Sequence, residues 1–281
     1  MKVGIVDTGG GLRGVYAAGV LDFCLEQGIY FDVGIGVSAG SGNISSYMAG
    51  QKKRTYQFYV DYSSRKQYMS LRNFVEKKTY IDLDYVYGTL SNSDGENPLD
   101  YDRFIKSPQI FLAVATDAET GEVKYFSKED MPRDDYSILK ASCAIPYICH
   151  PYGVRGRLYY DGALSDPIPV EKAFSLGCDK VVLILTRPEN VPRTPEKDEK
   201  LASKIQKTYP VAAEKFRRRA ENYNRGVARA RQYAKEGKVL IIAPDNTCGM
   251  DTLTKDPKAM KLFYEKGVRD AWKIGDFLKT E

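Results

Sequence analysis

The sequence predicts an α/β fold whose central sheet is mostly parallel. Its strand candidates are short, continuous apolar runs such as Val181–Leu185 and Val239–Ala243, a pattern typical of strands that are covered on both faces. Helix candidates separate these runs along the 281 residues, as in folds that wind around a parallel sheet. With 43% hydrophobic and 28% charged residues, the composition is that of a globular protein rather than a disordered or coiled-coil chain.

Strands are predicted where apolar and β-branched residues lie between glycine, proline or polar turns. These segments are residues 2–7, 31–37, 109–116, 123–126, 157–161, 180–186 and 238–243. The third and fourth are joined by a polar turn that contains Gly121.

Helices are predicted between these strands, at residues 15–27, 39–50, 135–144, 170–176 and 258–279. The first ends at Gly28, a residue typical of helix C-termini, and the third ends before Pro146, which cannot continue a helix. Two regions depart from this alternation. Residues 47–87 hold eight of the 21 tyrosines and show no clear strand, whereas residues 188–237 are helical, polar and basic. Neither resembles a free linker, so we predict one domain over residues 1–281 with a basic helical C-terminal region from about residue 188.

Composition also argues against several classes of protein. No apolar stretch approaches the roughly 18 residues of a membrane-spanning helix, and Asp7 with the glycines after it interrupts any signal-peptide core. The five cysteines are widely spaced without a CxxC pair, so we expect neither a disulfide framework nor a zinc site, and we expect a cytoplasmic location. With His150 as the sole histidine, the chain cannot build a metal site from several imidazoles.

The glycine-rich turn after the first strand matches the dinucleotide-binding pattern GxGxxG through Gly9, Gly11 and Gly14. That pattern requires an acidic residue at the end of the second strand, about 20 residues further on. The sequence has Gly36–Gly40 there, and Asp32 lies at the wrong end of its strand. Nucleotide binding is therefore a disfavoured alternative.

Residues 36–40 read GVSAG, a GxSxG pattern placed where a strand passes directly into a helix. In this context the pattern predicts a nucleophile elbow, a tight turn that exposes the hydroxyl of Ser38 above the sheet. The alternative is a glycine-rich turn whose serine only caps the following helix.

Acyl transfer also needs N–H donors aimed at the developing oxyanion. The glycine-rich turn can present such groups without side chains in the way, together with the N–H that follows Ser38. The expected donors are Gly9, Gly10, Gly11 and Ala39. Arg13 either adds positive charge or orients this loop; a surface or structural arginine is the alternative.

A serine hydroxyl needs a positioned base. His150 lies in no distinctive motif, and no acidic residue of an obvious motif lies between it and Ser38, so we interpret it as a packing or loop residue. Asp161 ends a short apolar strand before Gly162, where open α/β sheets place their sites, and it is the favoured base. An ordinary Asp-Gly turn is the alternative reading of that dipeptide. Asp166 competes with it, but its position beyond the turn predicts a solvated loop residue.

At this point the sequence resembles the patatin-like phospholipase family. The blocks that carry the resemblance are the glycine-rich segment 7–14, the elbow 36–40, the segment ASCAIP at 141–146 and YDGA at 160–163. The resemblance implies a three-layer α/β/α fold, a Ser38–Asp161 dyad with Asp161 as base, lipid acyl hydrolysis, and no metal or other cofactor. Two positions depart from the family pattern: Thr8, and Asp166 where the family often has asparagine before proline.

The charge pattern bears on partners. Residues 196–238 contain 13 Lys/Arg and six Asp/Glu, a net charge of +7, in a chain whose total is +5. Such a segment attracts anionic lipid headgroups or nucleic acid, or it forms a solvated helical face. No nucleic-acid motif is present, so we expect lipid or phospholipid ester substrates and peripheral contact with an anionic membrane. The tyrosine-rich residues 47–87 line an acyl pocket, lie at a membrane interface, or belong to the core. A non-catalytic binding module with the same shell remains the alternative to an enzyme, and the sequence carries no signal for an oligomeric state.

Overall fold

The fold is built on a central β-sheet, seen in a computed structural model that describes residues 1–279. Its strands are β1 (Val3–Asp7), β2 (Val33–Val37), β3 (Ile110–Asp117), β4 (Val123–Phe126), β5 (Tyr152–Val154), β6 (Arg157–Asp161), β7 (Lys180–Ile184) and β8 (Val239–Ile242). The strand order is β5-β6-β3-β2-β1-β7-β8, with β4 also paired to β3. Strands β8, β7, β1, β2 and β3 are parallel, and β4, β5 and β6 are antiparallel to their neighbours. The predicted mostly parallel sheet is confirmed.

Helices cover both faces of this sheet. The α-helices of the described chain are α1 (Val15–Glu26), α2 (Ala39–Met48), α3 (Arg54–Gln57), α4 (Leu71–Lys77), α5 (Tyr101–Lys106), α6 (Ser137–Cys143), α7 (Val170–Ser175), α8 (Glu196–Ile205), α9 (Pro210–Arg217), α10 (Arg219–Lys235), α11 (Pro257–Asp270) and α12 (Lys273–Lys279). Buried side chains of α1, α2 and α11 pack with Ile5 and Val182 on one face of the sheet. Those of α7 and α10 pack with Val6 and Leu183 on the other face. Because neighbouring residues of a strand point to opposite faces, the continuous apolar strands supply two cores, one to each helical layer.

The register of β3 brings β6 next to the end of β2. Val114 pairs with Val37 of β2 and with β4, while Ala115 pairs with Asp161 of β6 and with β4. Since a strand has only two edges, β2 and β6 must lie on the same edge of β3. Beyond the end of β2, the antiparallel strand β6 pairs with the same edge of β3. Its last residue, Asp161, pairs with Ala115, one position beyond Val114, which is the partner of Val37.

The structure differs from the predicted elements at three places. The short strand β5 was not expected; it forms a hairpin with β6 through Arg155 and Gly156, both at positive φ. The helix predicted for residues 258–279 is divided into α11 and α12, although the intervening residues 271–272 include neither glycine nor proline. Many helix and strand ends also differ by one to three residues, because the last turn or pair of an element is weakly held and frays.

Candidate active site

Ser38 stands between β2 and α2, at the carboxyl edge of the parallel strands. Its backbone has a φ of 57° and a ψ of −133°. Such a conformation costs a residue with a Cβ about 1–3 kcal/mol. Neighbours hold it in place: the Ser38 N–H donates to Ser142 Oγ at 3.0 Å, and its carbonyl oxygen accepts from the N–H and hydroxyl of Ser41 at 2.9 and 2.8 Å. The geometry is that of a strained strand-to-helix turn, the backbone shape expected for the predicted elbow.

The alternative role for Ser38, as a cap of α2, has no support in the geometry. Its side chain makes no capping hydrogen bond to the backbone of α2. The second glycine of the motif is required by close packing, because a Cβ on Gly40 would lie 2.3 Å from the carbonyl oxygen of Asp7. The motif therefore seats the elbow directly against the end of β1.

The glycine loop that follows β1 lies over this elbow. A Cβ on Gly9 would lie 2.2 Å from the carbonyl oxygen of Val37. Gly11 and Ala39 each begin a helical turn, so their N–H groups have no carbonyl acceptor within those turns. The N–H of Gly10 likewise finds no acceptor among the described residues. Three of the four expected donors are thus free of competing main-chain bonds beside Ser38.

Among the four expected oxyanion donors, Gly9 is the one whose N–H is already in use. Its N–H donates to Asp7 Oδ1 at 2.9 Å, and its carbonyl oxygen accepts from Thr186 Oγ1. Asp7 in turn accepts from Asn43 Nδ2 at 2.8 Å. Burial raises the pKa of Asp7 to about 6, even though the bonds from Asn43 and Gly9 act to lower it. Gly9 therefore anchors the loop to a buried carboxylate, and it is not an available donor.

Arg13 packs against the glycine loop and links it to the C-terminal part of the chain. Its Nη1 donates to Asp251 Oδ1 at 2.8 Å and to Thr252 Oγ1 at 3.1 Å. A Cβ on Gly10 would lie 3.2 Å from Nη2 of Arg13, which places the guanidinium against the loop. Burial lowers the pKa of Arg13, and the charge of Asp251 opposes that shift. Of the two expected roles, orientation of the loop is the one that these contacts favour.

Asp161 lies beside Ser38, as the register of β6 requires. It is 2% exposed, and its Oδ1 accepts from the N–H of Ala163 at 2.8 Å. Burial raises the pKa of Asp161, while the neighbouring Ser38 hydroxyl, the Ala163 N–H and the charges of Arg219 and Arg193 act to lower it. A buried carboxylate that faces a hydroxyl can accept its proton, because desolvation makes the carboxylate more basic than in water.

The two competing groups lie elsewhere. His150 Nδ1 is 3.1 Å from the carbonyl oxygen of Pro151, its ring packs 4.5 Å from that of Tyr152, and it does not line the cavities that meet at Ser38. Asp166 is half-buried and accepts a hydrogen bond of 2.5 Å from the Tyr125 hydroxyl in a separate groove. The expectation that Asp166 is a solvated loop residue is wrong, because the hairpin strand β4 brings Tyr125 over it.

Two cavities meet at Ser38. The first has a volume of about 70 Å³ and a mostly apolar lining. Residues 54–87 supply much of that lining: Arg54, Thr55, Phe58, Tyr59, Tyr68, Met69, Ile81, Leu83, Val86 and Tyr87. The second is a larger cleft of about 830 Å³, which Asp161 and the glycine loop also line. The tyrosine-rich region therefore contributes both to the core and to a cavity that Ser38 also lines.

The positive charge of the basic segment is reduced, but not cancelled, by ion pairs with acidic groups outside it. These pairs join Arg229 to Glu171, Arg231 to Glu189 and Lys197 to Asp251. Arg217, Arg219 and Arg225 pair with acids of the segment itself: Glu199, Asp198 and Glu221. The net charge of +7 over residues 196–238 thus overstates the free positive surface. Part of this segment, including Lys197 and Arg219, instead lines the cleft beside Ser38.

Three residues of the site had no predicted role. Ser142 holds the Ser38 N–H, Asn43 holds Asp7, and the carbonyl oxygen of Thr252 accepts from the N–H of Leu12 at 2.9 Å. Ser142 lies in the ASCAIP segment, so the motif marked it without giving its function. Asn43 is a polar residue one turn after the elbow, a signal that could have been read. Nothing local marks Thr252, because its contacts depend on the return of the C-terminal chain.

Across residues 1–279, no helix combines the length and apolarity needed to cross a membrane. The same part of the chain holds no cluster of three or more His, Cys, Asp or Glu side chains arranged to bind a metal ion.

Comparison with known proteins gives two family matches. The family model for patatin-like phospholipases matches residues 6–174, and a model for a domain of unknown function, DUF6363, matches residues 209–275. The chain is 30% identical over 200 residues to the uncharacterized protein YjjU of Escherichia coli K12, over 69% of this chain and 55% of YjjU. It is 26% identical over 190 residues to the uncharacterized NTE family protein Rv1063c of Mycobacterium tuberculosis, over 65% of this chain and 48% of that protein. The crystal structure of VipD from Legionella pneumophila aligns with 98% of this chain and 67% of VipD, at a TM-score of 0.48 and 13% identity. The chain spans about half the length of the curated relatives it matches.

Proposed function

Because the chain belongs to the patatin-like phospholipase family, we propose that it is a serine acyl hydrolase that cleaves lipid esters through Ser38 and Asp161. The observation that carries the proposal is the proximity of these two buried side chains where a mostly apolar cavity meets a larger cleft with charged walls. In the proposed complex the acyl chain enters the apolar side, and the ester carbonyl lies at the hydroxyl.

In the proposed reaction the Ser38 hydroxyl oxygen attacks the acyl carbonyl carbon while Asp161 accepts the hydroxyl proton. The N–H groups of Gly10, Gly11 and Ala39 stabilise the tetrahedral oxyanion. Collapse of this intermediate breaks the ester C–O bond, and protonated Asp161 returns the proton to the leaving alkoxide. A water molecule then attacks the acyl carbon while Asp161 takes one of its protons. The bond between the acyl carbon and Ser38 Oγ breaks, the fatty acid leaves, and Asp161 returns the proton to Ser38.

We include the C-terminal region in the same functional unit. The main-chain bond from Leu12 to Thr252 and the ion pair from Arg13 to Asp251 join the glycine loop to the segment after β8. Residues of α8 and α10 also form one wall of the cleft. A chain truncated near residue 188 would lose both, so the proposal concerns one domain and not a motif-bearing half.

We also propose that α4 contacts an anionic lipid surface. Leu71 and Val75 are 76% and 71% exposed, and Lys77 and Lys78 follow them at the end of the helix, while Arg72 pairs with Glu76. Helix α4 directly follows Met69, which lines the apolar cavity, so contact here would bring a membrane to the cavity wall. Sedimentation with phosphatidylglycerol vesicles should recover wild type but little of the double variant L71Q/V75Q, with phosphatidylcholine vesicles as the comparison. Equal recovery of both proteins would exclude this surface.

A fluorophosphonate probe tests the central proposal. It should label wild-type protein on Ser38 and should not label the Ser38→Ala variant; incubation with a mixed lipid extract should release fatty acids only with the wild type. Ser64→Ala, which alters an exposed serine, is the matched control and should be labelled like wild type. A folded wild-type protein that is neither labelled nor active on any lipid ester would favour the non-catalytic binding module.

A further inference from the structure

The cleft beside Ser38 is lined by five cationic and four acidic side chains, so its cations outnumber its acids. Its charged lining consists of the cations Arg13, Arg187, Arg193, Lys197 and Arg219 and the acids Asp161, Glu196, Asp198 and Asp251. Asp198 serves both Arg193 and Arg219, and Asp251 serves both Arg13 and Lys197. Each of these two carboxylates is thus shared between two cations.

Arg187 has no acidic partner in the described chain. It is half-buried just beyond the end of β7, next to Thr186, which holds the glycine loop through Gly9. No hydrogen bond or ion pair within residues 1–279 involves its side chain. Its charge acts to lower the pKa of Arg13 and of Arg193, so the three guanidinium groups repel one another across the cleft.

A second group in the cleft also lacks a partner. Tyr223 of α10 is 8% exposed and lines the cleft, and its hydroxyl makes no hydrogen bond within the described residues. The charges of Arg187, Arg193 and Arg13 all act on this hydroxyl. In addition, Nε of Arg13 and Nε of Arg193 are buried without an acceptor in the described chain. The hydroxyl of a side chain that is nine-tenths buried therefore lines a cleft among cations whose own donors are not all satisfied, an arrangement that an anion would complete.

We propose that Arg187, Tyr223 and Arg193 form a phosphate subsite for the alcohol side of the ester. This inference rests on the proposed role of Ser38. With the acyl chain in the apolar cavity, the leaving alcohol points into the cleft, where a phosphate can accept from the free guanidinium and the free hydroxyl. The preferred substrate is therefore a phosphate-bearing lysolipid or phospholipid, and a neutral acylglycerol is a poor one.

The test compares two substrates that differ only in the phosphate. Wild type, Arg187→Gln and Tyr223→Phe are assayed in neutral detergent micelles against 1-oleoyl lysophosphatidic acid and 1-oleoylglycerol. The ratio of kcat/KM for the anionic over the neutral ester should fall at least about tenfold in Arg187→Gln, since a hydrogen bond to a charged group is lost. It should fall about threefold in Tyr223→Phe, where a single hydroxyl donor is removed. The control is Arg225→Gln. Arg225 is an exposed residue of α10, the helix of Tyr223, but it does not line the cleft, so the variant should keep the wild-type ratio.

A binding arm separates this inference from the proposed reaction. Calorimetric titration of Ser38→Ala protein with lysophosphatidic acid, glycerol 3-phosphate and inorganic phosphate needs no turnover. Tighter binding of the lysolipid than of either free anion, lost when Arg187→Gln is added, supports a headgroup subsite even if no ester is cleaved. Equal binding of lysolipid and inorganic phosphate would overturn the headgroup assignment, and an unchanged substrate ratio in Arg187→Gln would overturn the subsite.

Discussion

The carboxylates on the two sides of the cleft have pKa shifts of opposite direction. On the glycine-loop side, burial raises the pKa of both Asp7 and Asp161, because their partners are N–H groups and neutral side chains more than cations. On the C-terminal side, burial also acts to raise the pKa of Asp198 and Asp251. There hydrogen bonds and nearby arginine and lysine charges outweigh it, and they hold the pKa of Asp251 at about 2.

Under the proposed function, this difference divides the cleft into a side for proton transfer and a side for ligand binding. A carboxylate with a raised pKa is a stronger base and can move a proton near neutral pH. A carboxylate held ionised by arginines only fixes those arginines in space. We therefore assign proton transfer to the first side and the orientation of charged ligands to the second.

The largest effect is expected where the proposed dyad is broken. Ser38→Ala should reduce ester hydrolysis to background, and Asp161→Asn should lower kcat by about 10²- to 10⁴-fold, the range for loss of a general base. Initial rates with a soluble ester and the thermal midpoint of each variant provide the measurement. Asp94→Asn, an exposed aspartate without a partner in the described chain, is the control for the second variant. Robust activity in either folded variant would remove the dyad from the mechanism.

A second way to sharpen the comparison is pH. Because the pKa of Asp7 is raised from 3.8 to about 6, its contribution to stability is complete below pH 4 and is lost as pH rises through about 6. Asp7→Asn does not titrate, so the unfolding free energy of wild type minus that of the variant should fall by up to about 3 kcal/mol between pH 4 and 7. Urea denaturation at four pH values measures it.

The activity of wild type should change in the opposite direction over that range. Ionised Asp161 is the proposed base and its pKa is raised, so kcat/KM should rise with pH with a midpoint above 3.8.

For the stability prediction, equal pH slopes of the unfolding free energy in wild type and Asp7→Asn would show that the pKa of Asp7 is not raised as described.

A smaller effect on catalysis is expected at the ion pair between Arg13 and Asp251, which joins the two sides of the cleft. Asp251→Asn removes the charge that holds Arg13 against the glycine loop. We expect kcat to fall about five- to tenfold, which corresponds to about 1 kcal/mol of lost transition-state stabilisation, with little change in thermal midpoint. Asp245→Asn lies in the same C-terminal segment and pairs with Lys266 instead, so it serves as the control. Equal kinetics for the two variants would mean that the brace does not position the loop.

The smallest effect is expected at the single histidine. His150→Ala removes a ring that packs on Tyr152 outside the two cavities, so activity should remain within about twofold of wild type. Steady-state kinetics of the purified variant check this. Loss of most activity in a folded His150→Ala protein would restore a histidine-based triad.

The features that the sequence predicted well are those in which local backbone geometry restricts the residue type. The elbow needs glycine where the chain approaches Asp7 closely, and the strands need continuous apolar runs because both faces are covered. Asp161 was predicted as the base from its place at a strand end, although the antiparallel direction of β6 that brings it near Ser38 was not predicted.

By itself, then, the sequence determined the parallel α/β core, the elbow and the glycine loop, because each depends on residues that are close together along the chain. Only the tertiary structure decided which donors of the loop are free, what braces it and what lines the cleft. Arg13 and Asp251 are 238 residues apart, and Ser38 and Ser142 are 104 residues apart. Contacts across such separations leave no local pattern in the sequence, because many polar residues could make the same hydrogen bond. Only the packing of the sheet and its helices decides which two of them meet.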